Sequence, residues 1–306
     1  MAAEIPFRRD FAFQYGVAET VSPLIRRVVA NNPSPFTFKG TGTYIVGRGK
    51  VAIIDPGPDM ASHIAALLNA VGNETVTHIL VTHTHLDHSP AAAAVKRATG
   101  SRTYGFGPHG SGRAEDRAGI ERGVVEEGGD HDFTPDETLR EGDGVTGPGW
   151  RLTAVETPGH TSNHLCFYLP EERTLFTGDH VMGWSTSVIA PPDGDMAAYM
   201  RSLRKLMKRD DTRYWPTHGP AIPEPKKLVA AFITHRQERT VAILARLQAG
   251  DVTVPEIVSR VYAGLDPRLI PAAGRSVLAH LIELAERGLV LADGPPALNS
   301  RYRLKP

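Results

Sequence analysis

One cysteine in 306 residues leaves no intramolecular disulfide to form, which suits a reducing compartment. Net charge is missing too, since 34 Lys and Arg balance 34 Asp and Glu. The chain therefore offers no global electrostatic attraction to nucleic acid or to an anionic membrane. No apolar run approaches the length of a membrane span. The first ten residues, Met1 to Asp10, lack the apolar core of a signal peptide. The expectation is a cytoplasmic globular protein. At 41% hydrophobic residues, there is room for one large core and a small second domain.

Metal-ligand chemistry, by contrast, is concentrated in a few places. Residues 83 to 88 read His83-Thr84-His85-Leu86-Asp87-His88, four candidate ligands in six positions. They follow Val76-Thr77-His78-Ile79-Leu80-Val81, a β-branched run with the look of a buried central parallel strand. Ser89 and Pro90 then open a helix through Ala91 to Ala98, with Ser89 as the expected N-cap. The cluster thus falls on the loop at the carboxyl end of a strand, where open α/β sheets place their sites. Three further short segments each carry a ligand flanked by Gly or Pro and read as the last residue of a short strand: Thr157-Pro158-Gly159-His160-Thr161, Phe176-Thr177-Gly178-Asp179, and Pro216-Thr217-His218-Gly219-Pro220. Together they make five His and two Asp, enough for two divalent ions with an open position each.

These four motifs, in this order, resemble the metallo-β-lactamase superfamily. The opening strands around Thr41 to Gly47 and Val51 to Gly57 are similar as well, and the resemblance spans roughly residues 35 to 232. It implies an α+β fold, a four-layered αββα sandwich with metals in a cleft along one edge. It also implies that His83, His85 and His160 bind a first metal. Asp87, His88 and His218 would bind a second, Asp179 would bridge the two, and Asp87 and His218 are taken as the catalytic residues. Asp55 matches an acidic residue that orders the ligand loop, although a turn-forming Asp before Pro-Gly reads equally well. His63, His78, His109 and His164 read as structural or surface residues, and His180 as a neighbour of the bridge rather than a ligand. Two ions sharing a water lower its pKa toward neutrality, so no nucleophilic side chain is needed. Gly110-Ser111-Gly112 lacks the context of an esterase elbow, and Cys166 reads as a core residue. Imidazoles and carboxylates without thiolate suit two zinc ions, with manganese or iron also acceptable.

Residues 107 to 149 read as a Gly-rich, charged loop able to overhang the cleft. Beyond a boundary at 232/233, the tail has a helical pattern from Thr234 to Ala249. A capping box at Thr253-Val254-Pro255-Glu256 starts a second helix, Ala272 to Arg287 make a third, and a hairpin follows. That is the layout of a winged helix. The expected domains are therefore 1–232, catalytic, and 233–306, winged. The tail holds ten Arg or Lys against seven Asp or Glu, weak for a dedicated nucleic-acid reader, so it could equally shape the cleft or a homodimer interface.

A similar branch of the superfamily, with the His235-Arg236 helix and a winged tail, includes the mitochondrial endoribonuclease of single-stranded RNA. The long insertion around 107–132 and His180 depart from it. The reading is a binuclear hydrolase, with a single-stranded RNA endoribonuclease as one substrate class and a small-molecule thioester, lactone or β-lactam hydrolase as the alternative. A regulatory module with a dead site is disfavoured by the complete ligand set.

Overall fold

The computed structural model describes residues 5–113 and 128–306. Seven strands pair in chain order to form the first sheet: β1 (Glu19–Thr20), β2 (Ile25–Val29), β3 (Gly42–Arg48), β4 (Lys50–Ile54), β5 (Thr75–Leu80), β6 (Arg102–Gly105) and β7 (Glu137–Thr138). Helix α1 (Ala61–Val71) joins β4 to β5 and α2 (Ala91–Thr99) joins β5 to β6, and both strand pairs are parallel. The second sheet holds β8 (Gly144–Gly147), β9 (Trp150–Glu156), β10 (Leu165–Leu169), β11 (Thr174–Gly178) and β12 (Arg213–Pro216), ordered β12-β11-β10-β9-β8. Helices α3 (Met196–Met207) and α4 (Pro225–Gln248) flank β12 in sequence. Then come α5 (Val254–Val261), α6 (Ile270–Glu286) and the hairpin β13 (Val290–Ala292) with β14 (Tyr302–Leu304).

The layering follows from side-chain alternation along the strands. Tyr44 and Val46 of β3 point into a core shared with Leu152, Ala154, Phe167 and Phe176 of the second sheet. Ile45, between them, faces outward into a cluster with Leu67 and Val71 of α1 and Val95 of α2. The outer face of the second sheet, Val155, Cys166 and Leu175, packs against Tyr199, Leu203 and Leu206 of α3 and Val229 and Phe232 of α4. Two sheets back to back with helices outside make the four-layered αββα sandwich. Strands buried on both faces explain why their sequences are almost continuously apolar. Ile243, Leu247, Ile257, Val277, Leu281, Val290 and Tyr302 form a separate core for the tail.

Several sequence expectations shift. Ser89 does not cap α2: its hydroxyl donates to Asp130 Oδ2 at 2.6 Å, and Pro90 is the cap residue without a side-chain bond. The candidate ligands are not the last residues of their strands but sit beyond them, on the turns. Within 107–149, expected to be loop, β7 and β8 form, while residues 114–127 of that stretch lie outside the described residues. The helix expected from Thr234 begins at Pro225, so the 232/233 boundary falls inside α4. The capping box at Thr253 and Glu256 is formed as read. Among the described residues, no helix is long and apolar enough to cross a membrane.

Candidate metal centre

Four turns at one edge of the sandwich converge. The first follows β5, where Thr82 donates its backbone N–H to Asp55 Oδ1 at 2.7 Å and His88 N–H closes onto the His85 carbonyl at 3.0 Å. Segment 128–130 clamps this loop from outside, with Leu86 N–H on the Gly128 carbonyl and Asp130 N–H on the Thr84 carbonyl. The second turn needs glycine. Gly159 has φ +142° and lies against the backbone of Tyr199 at the start of α3, so an added Cβ would sit 2.3 Å from Tyr199 Cα. The turn after β11 carries Asp179 past Gly178, at φ +48°, where an added Cβ would meet the side chains of His164 and Thr82 at 2.7–2.9 Å. The fourth, after β12, places His218.

All seven residues expected from the sequence meet here. Ligand atoms of His83, His85 and His160 lie within 4.8 Å of one another, as do those of His83, His88 and Asp179, and those of Asp87, His88 and His218. Asp179 Oδ2 is 3.6 Å from His88 Nε2, 3.3 Å from His218 Nε2 and 4.0 Å from His160 Nε2, a central position fit for a bridge. Four of the five imidazoles are oriented from behind. His83 Nδ1 meets Thr82 Oγ1 at 3.0 Å, His88 Nδ1 donates to Asp55 Oδ2 at 2.9 Å, His160 Nδ1 to the Val188 carbonyl at 2.6 Å, and His218 Nδ1 to the Gly40 carbonyl at 3.2 Å. The outer hydrogen bonds of His88, His160 and His218 fix the tautomer, leaving Nε2 to face inward with its lone pair. His85 instead turns Nδ1 inward, 3.0 Å from His83 Nε2 and 3.2 Å from His160 Nε2.

This arrangement fits a pair of cations. His88 Nε2, His218 Nε2 and Asp179 Oδ1 are buried without a hydrogen-bond partner, an expense a folded protein ordinarily avoids. His218 Nε2 comes to 3.0 Å from Asp87 Oδ2 yet is misaligned for a hydrogen bond, as expected of atoms arranged around a third centre. Burial, then the neighbouring imidazoles, hold His83 and His85 well below the usual histidine range, and burial lowers His160. Burial opposes charge on His88 and His218, but Asp87 and Asp179 outweigh it, raising His88 well above its usual range and His218 to about 10. Burial likewise opposes charge on the two carboxylates, and the His88 and His218 cations overcome it, pushing both down. Protons on those imidazoles stand where metal charge would serve, so metal binding must displace them.

Asp55 is a buried hub rather than a plain turn residue. Besides Thr82 N–H and His88, its carboxylate accepts from Thr82 Oγ1 at 2.8 Å and Thr217 Oγ1 at 2.9 Å, tying the first turn to the fourth. His164 accepts the Asp179 N–H at 3.3 Å and contacts Thr157 Oγ1. His63 meets Thr43 Oγ1, His78 packs near Tyr104 and Trp150, and His109 meets Thr84 Oγ1. None of these, nor His180 against Tyr199, joins a ligand group among the described residues. Cys166 is buried, which pushes its thiol up to about 12, and Ser111 donates to the Pro108 carbonyl in an exposed turn. The sequence reading missed Val188, Gly40 and Thr217 as supports. The first two act through carbonyls that any residue carries, so no side-chain signal marked them.

Beside the centre, a cleft of about 260 Å³ runs from His160 and Asp179 to α4 and α6. Its walls include Phe7, Phe36, Trp184, Tyr262, Leu265 and Leu269.

Comparison with known proteins adds to this geometry. Residues 37–218 match the family model of the metallo-beta-lactamase superfamily, and residues 253–295 that of the beta-lactamase associated winged helix domain. The chain is 30% identical to the lactamase-like protein adaB of Aspergillus niger, covering 100% of this chain and 98% of that protein. It is also 30% identical to an atrochrysone carboxyl ACP thioesterase of Paecilomyces divaricatus, over 89% of this chain and 83% of that one. A metallo-beta-lactamase family protein of Thermus thermophilus superposes with a TM-score of 0.74 at 25% identity, covering 94% of this chain and 100% of its own. A beta-lactamase domain protein of Burkholderia ambifaria superposes at 0.80 with 20% identity, over 98% and 97%.

Proposed function

The chain belongs to the metallo-beta-lactamase superfamily and is a metal-dependent hydrolase, and from that premise we propose that it cleaves acyl thioesters at a binuclear centre. His83, His85 and His160 hold one ion, Asp87, His88 and His218 the other, and Asp179 lies between them. Zinc suits this donor set, which lacks thiolate. Two such ions, when bound, supply an activated water at neutral pH and a Lewis acid for the developing charge.

The chain's own residues set the geometry. Outer hydrogen bonds keep the Nε2 lone pairs of His88, His160 and His218 aimed inward, and Asp55 locks the turn bearing His83 to His88 against the turn bearing His218. Asp87 and His85 are the two of the seven that are only half-buried. Asp87 accepts from Thr41 Oγ1 at 3.2 Å, and its carboxylate stands at the open side, where a leaving group departs. The apolar and aromatic walls hold an acyl group against the centre and exclude water around it.

Those walls carry the substrate reading. An RNA strand would need basic side chains to track it, either Arg201, Arg204 and Lys205 of α3 with Lys208 just past its end, or those of the winged domain. Among the described residues none of the first four lines the cleft, and of the tail's ten only Arg236 does. Lys205 is instead occupied by Glu141 and the Glu156 carbonyl. Thioesterases among the relatives support the same choice. The test is a parallel assay of metal-loaded protein on acyl thioesters and on unstructured RNA, at two salt concentrations. Thioester turnover at a nearly salt-independent rate is expected. Cleavage of RNA with affinity falling about one log unit per log unit of salt for each phosphate neutralised, and no thioester turnover, would establish the phosphodiesterase instead.

A further inference from the structure

One cation in the cleft has no acid to answer it. Arg236 of α4 is 3% exposed and lines the same cleft as His160 and Asp179. Its Nη2 donates to the Ser187 carbonyl, and its Cζ stands 5.4 Å from the Tyr199 ring centroid. Its Nε is buried without a partner. No ion pair to a described carboxylate forms. A guanidinium stays charged in a protein, and removing it from water without a counter-charge is costly. The neighbours add to the imbalance. Arg9 also lines the cleft, Arg239 stands one turn along α4 over Tyr262, and Asp179, at the metal end, is the one acid among the described lining residues. Trp184, stacked on Phe38 with ring centroids 4.9 Å apart, offers a second buried and unpartnered donor, Nε1, on the same cleft.

We infer that Arg236 and Trp184 form a subsite for a carboxylate carried by the substrate's acyl part, so that the cleft takes an apolar, aromatic-sized acyl group bearing a free acid. A planar guanidinium edge pairs with a carboxylate through parallel hydrogen bonds. Arg236 is the one buried arginine among the described lining residues, Arg9 being exposed, and one buried guanidinium between mainly apolar walls matches a monoanion better than a doubly charged phosphate. The inference rests on the cleft being the substrate site of the proposed hydrolase. Its test reads binding rather than turnover, so it fails separately from the thioesterase reading.

The measurement compares dissociation constants of 2-naphthoate and 2-naphthamide for the metal-loaded full chain and for Arg236→Met and Arg236→Lys, with metal content determined alongside. Any attraction of the metals for the carboxylate is common to all three proteins. Arg236→Met weakens naphthoate by at least about tenfold, the scale of a charge-assisted hydrogen bond, and leaves naphthamide within about twofold, while Arg236→Lys recovers part of the loss. Should Arg236→Met fail to fold, Arg236→Gln is read with the same ligand pair. An equal loss for both ligands, no loss for either, or departure of metal from the variant overturns the subsite. The last result would make Arg236 a brace for the segment whose Val188 carbonyl orients His160.

Discussion

Replacing Asp55 with asparagine tests how the ligand shell is held without touching a ligand. Oδ2 of Asp55 accepts three hydrogen bonds, from Thr82 Oγ1, His88 Nδ1 and Thr217 Oγ1, while Oδ1 accepts the Thr82 N–H. An amide can present only one oxygen. If its nitrogen faces His88, the imidazole must accept on Nδ1, which moves the ring proton to Nε2 and removes the lone pair a metal needs. If its nitrogen faces the Thr82 N–H instead, two donors collide in a buried site, and leaving one unpaired costs about 1–3 kcal/mol. The first outcome weakens the position built from Asp87, His88 and His218 more, whereas the second leaves the His88 bond in place and disturbs Thr82, which supports His83 of the other position. The expected loss of metal affinity is about 10–100-fold, read by competition with a chromophoric chelator, with one ion lost before the other. Unchanged affinity for both ions, in a variant that melts like the wild type, would refute the reasoning.

Asp179→Ala removes the central carboxylate, and elemental analysis should find both ions depleted rather than one. Gly159→Ala drives a Cβ into the Tyr199 backbone; thermal unfolding should show a loss of roughly 2–4 kcal/mol, typical of strain at a special backbone position. His280, buried in α6 and bonded to Thr240 Oγ1 at 3.1 Å, is pushed to about 3, mainly by burial. The folded chain therefore binds fewer protons there than the unfolded chain, whose histidine titrates near 6.5. Its contribution is intact above about pH 6.5 and declines as pH falls from there toward 3. His280→Leu should accordingly lose less stability than the wild type between pH 7 and 4 in denaturant titrations, and an identical pH slope in both would contradict the assignment.

The metal centre was legible because its chemistry depends on residue type and its segments are local. The run from His83 to His88, the Pro158-Gly159-His160 turn, Gly178-Asp179 and His218-Gly219 each carry their own turn residues beside the ligand. What sequence hid was long-range. Ser89 looks like a cap until Asp130, 41 positions away, takes its hydroxyl. The apolar spacing reveals helix α4 only from Thr234 because the helix serves two cores, Val229 and Phe232 facing the second sheet and Ile243 and Leu247 facing the tail. Two faces on one helix blur any single apolar stripe. Arg236, between those faces, was visible only as part of a His-Arg pair. Its lack of an acid is a fact of three-dimensional neighbours, which no spacing encodes.

The central claim is tested most directly by titrating metal into stripped protein while following ions bound per chain and thioester hydrolysis in the same samples. The account predicts about two ions per chain at saturation, with activity reaching its plateau only as the second binds. Full activity with one ion bound, or a metal-replete chain holding one ion or none, would contradict it.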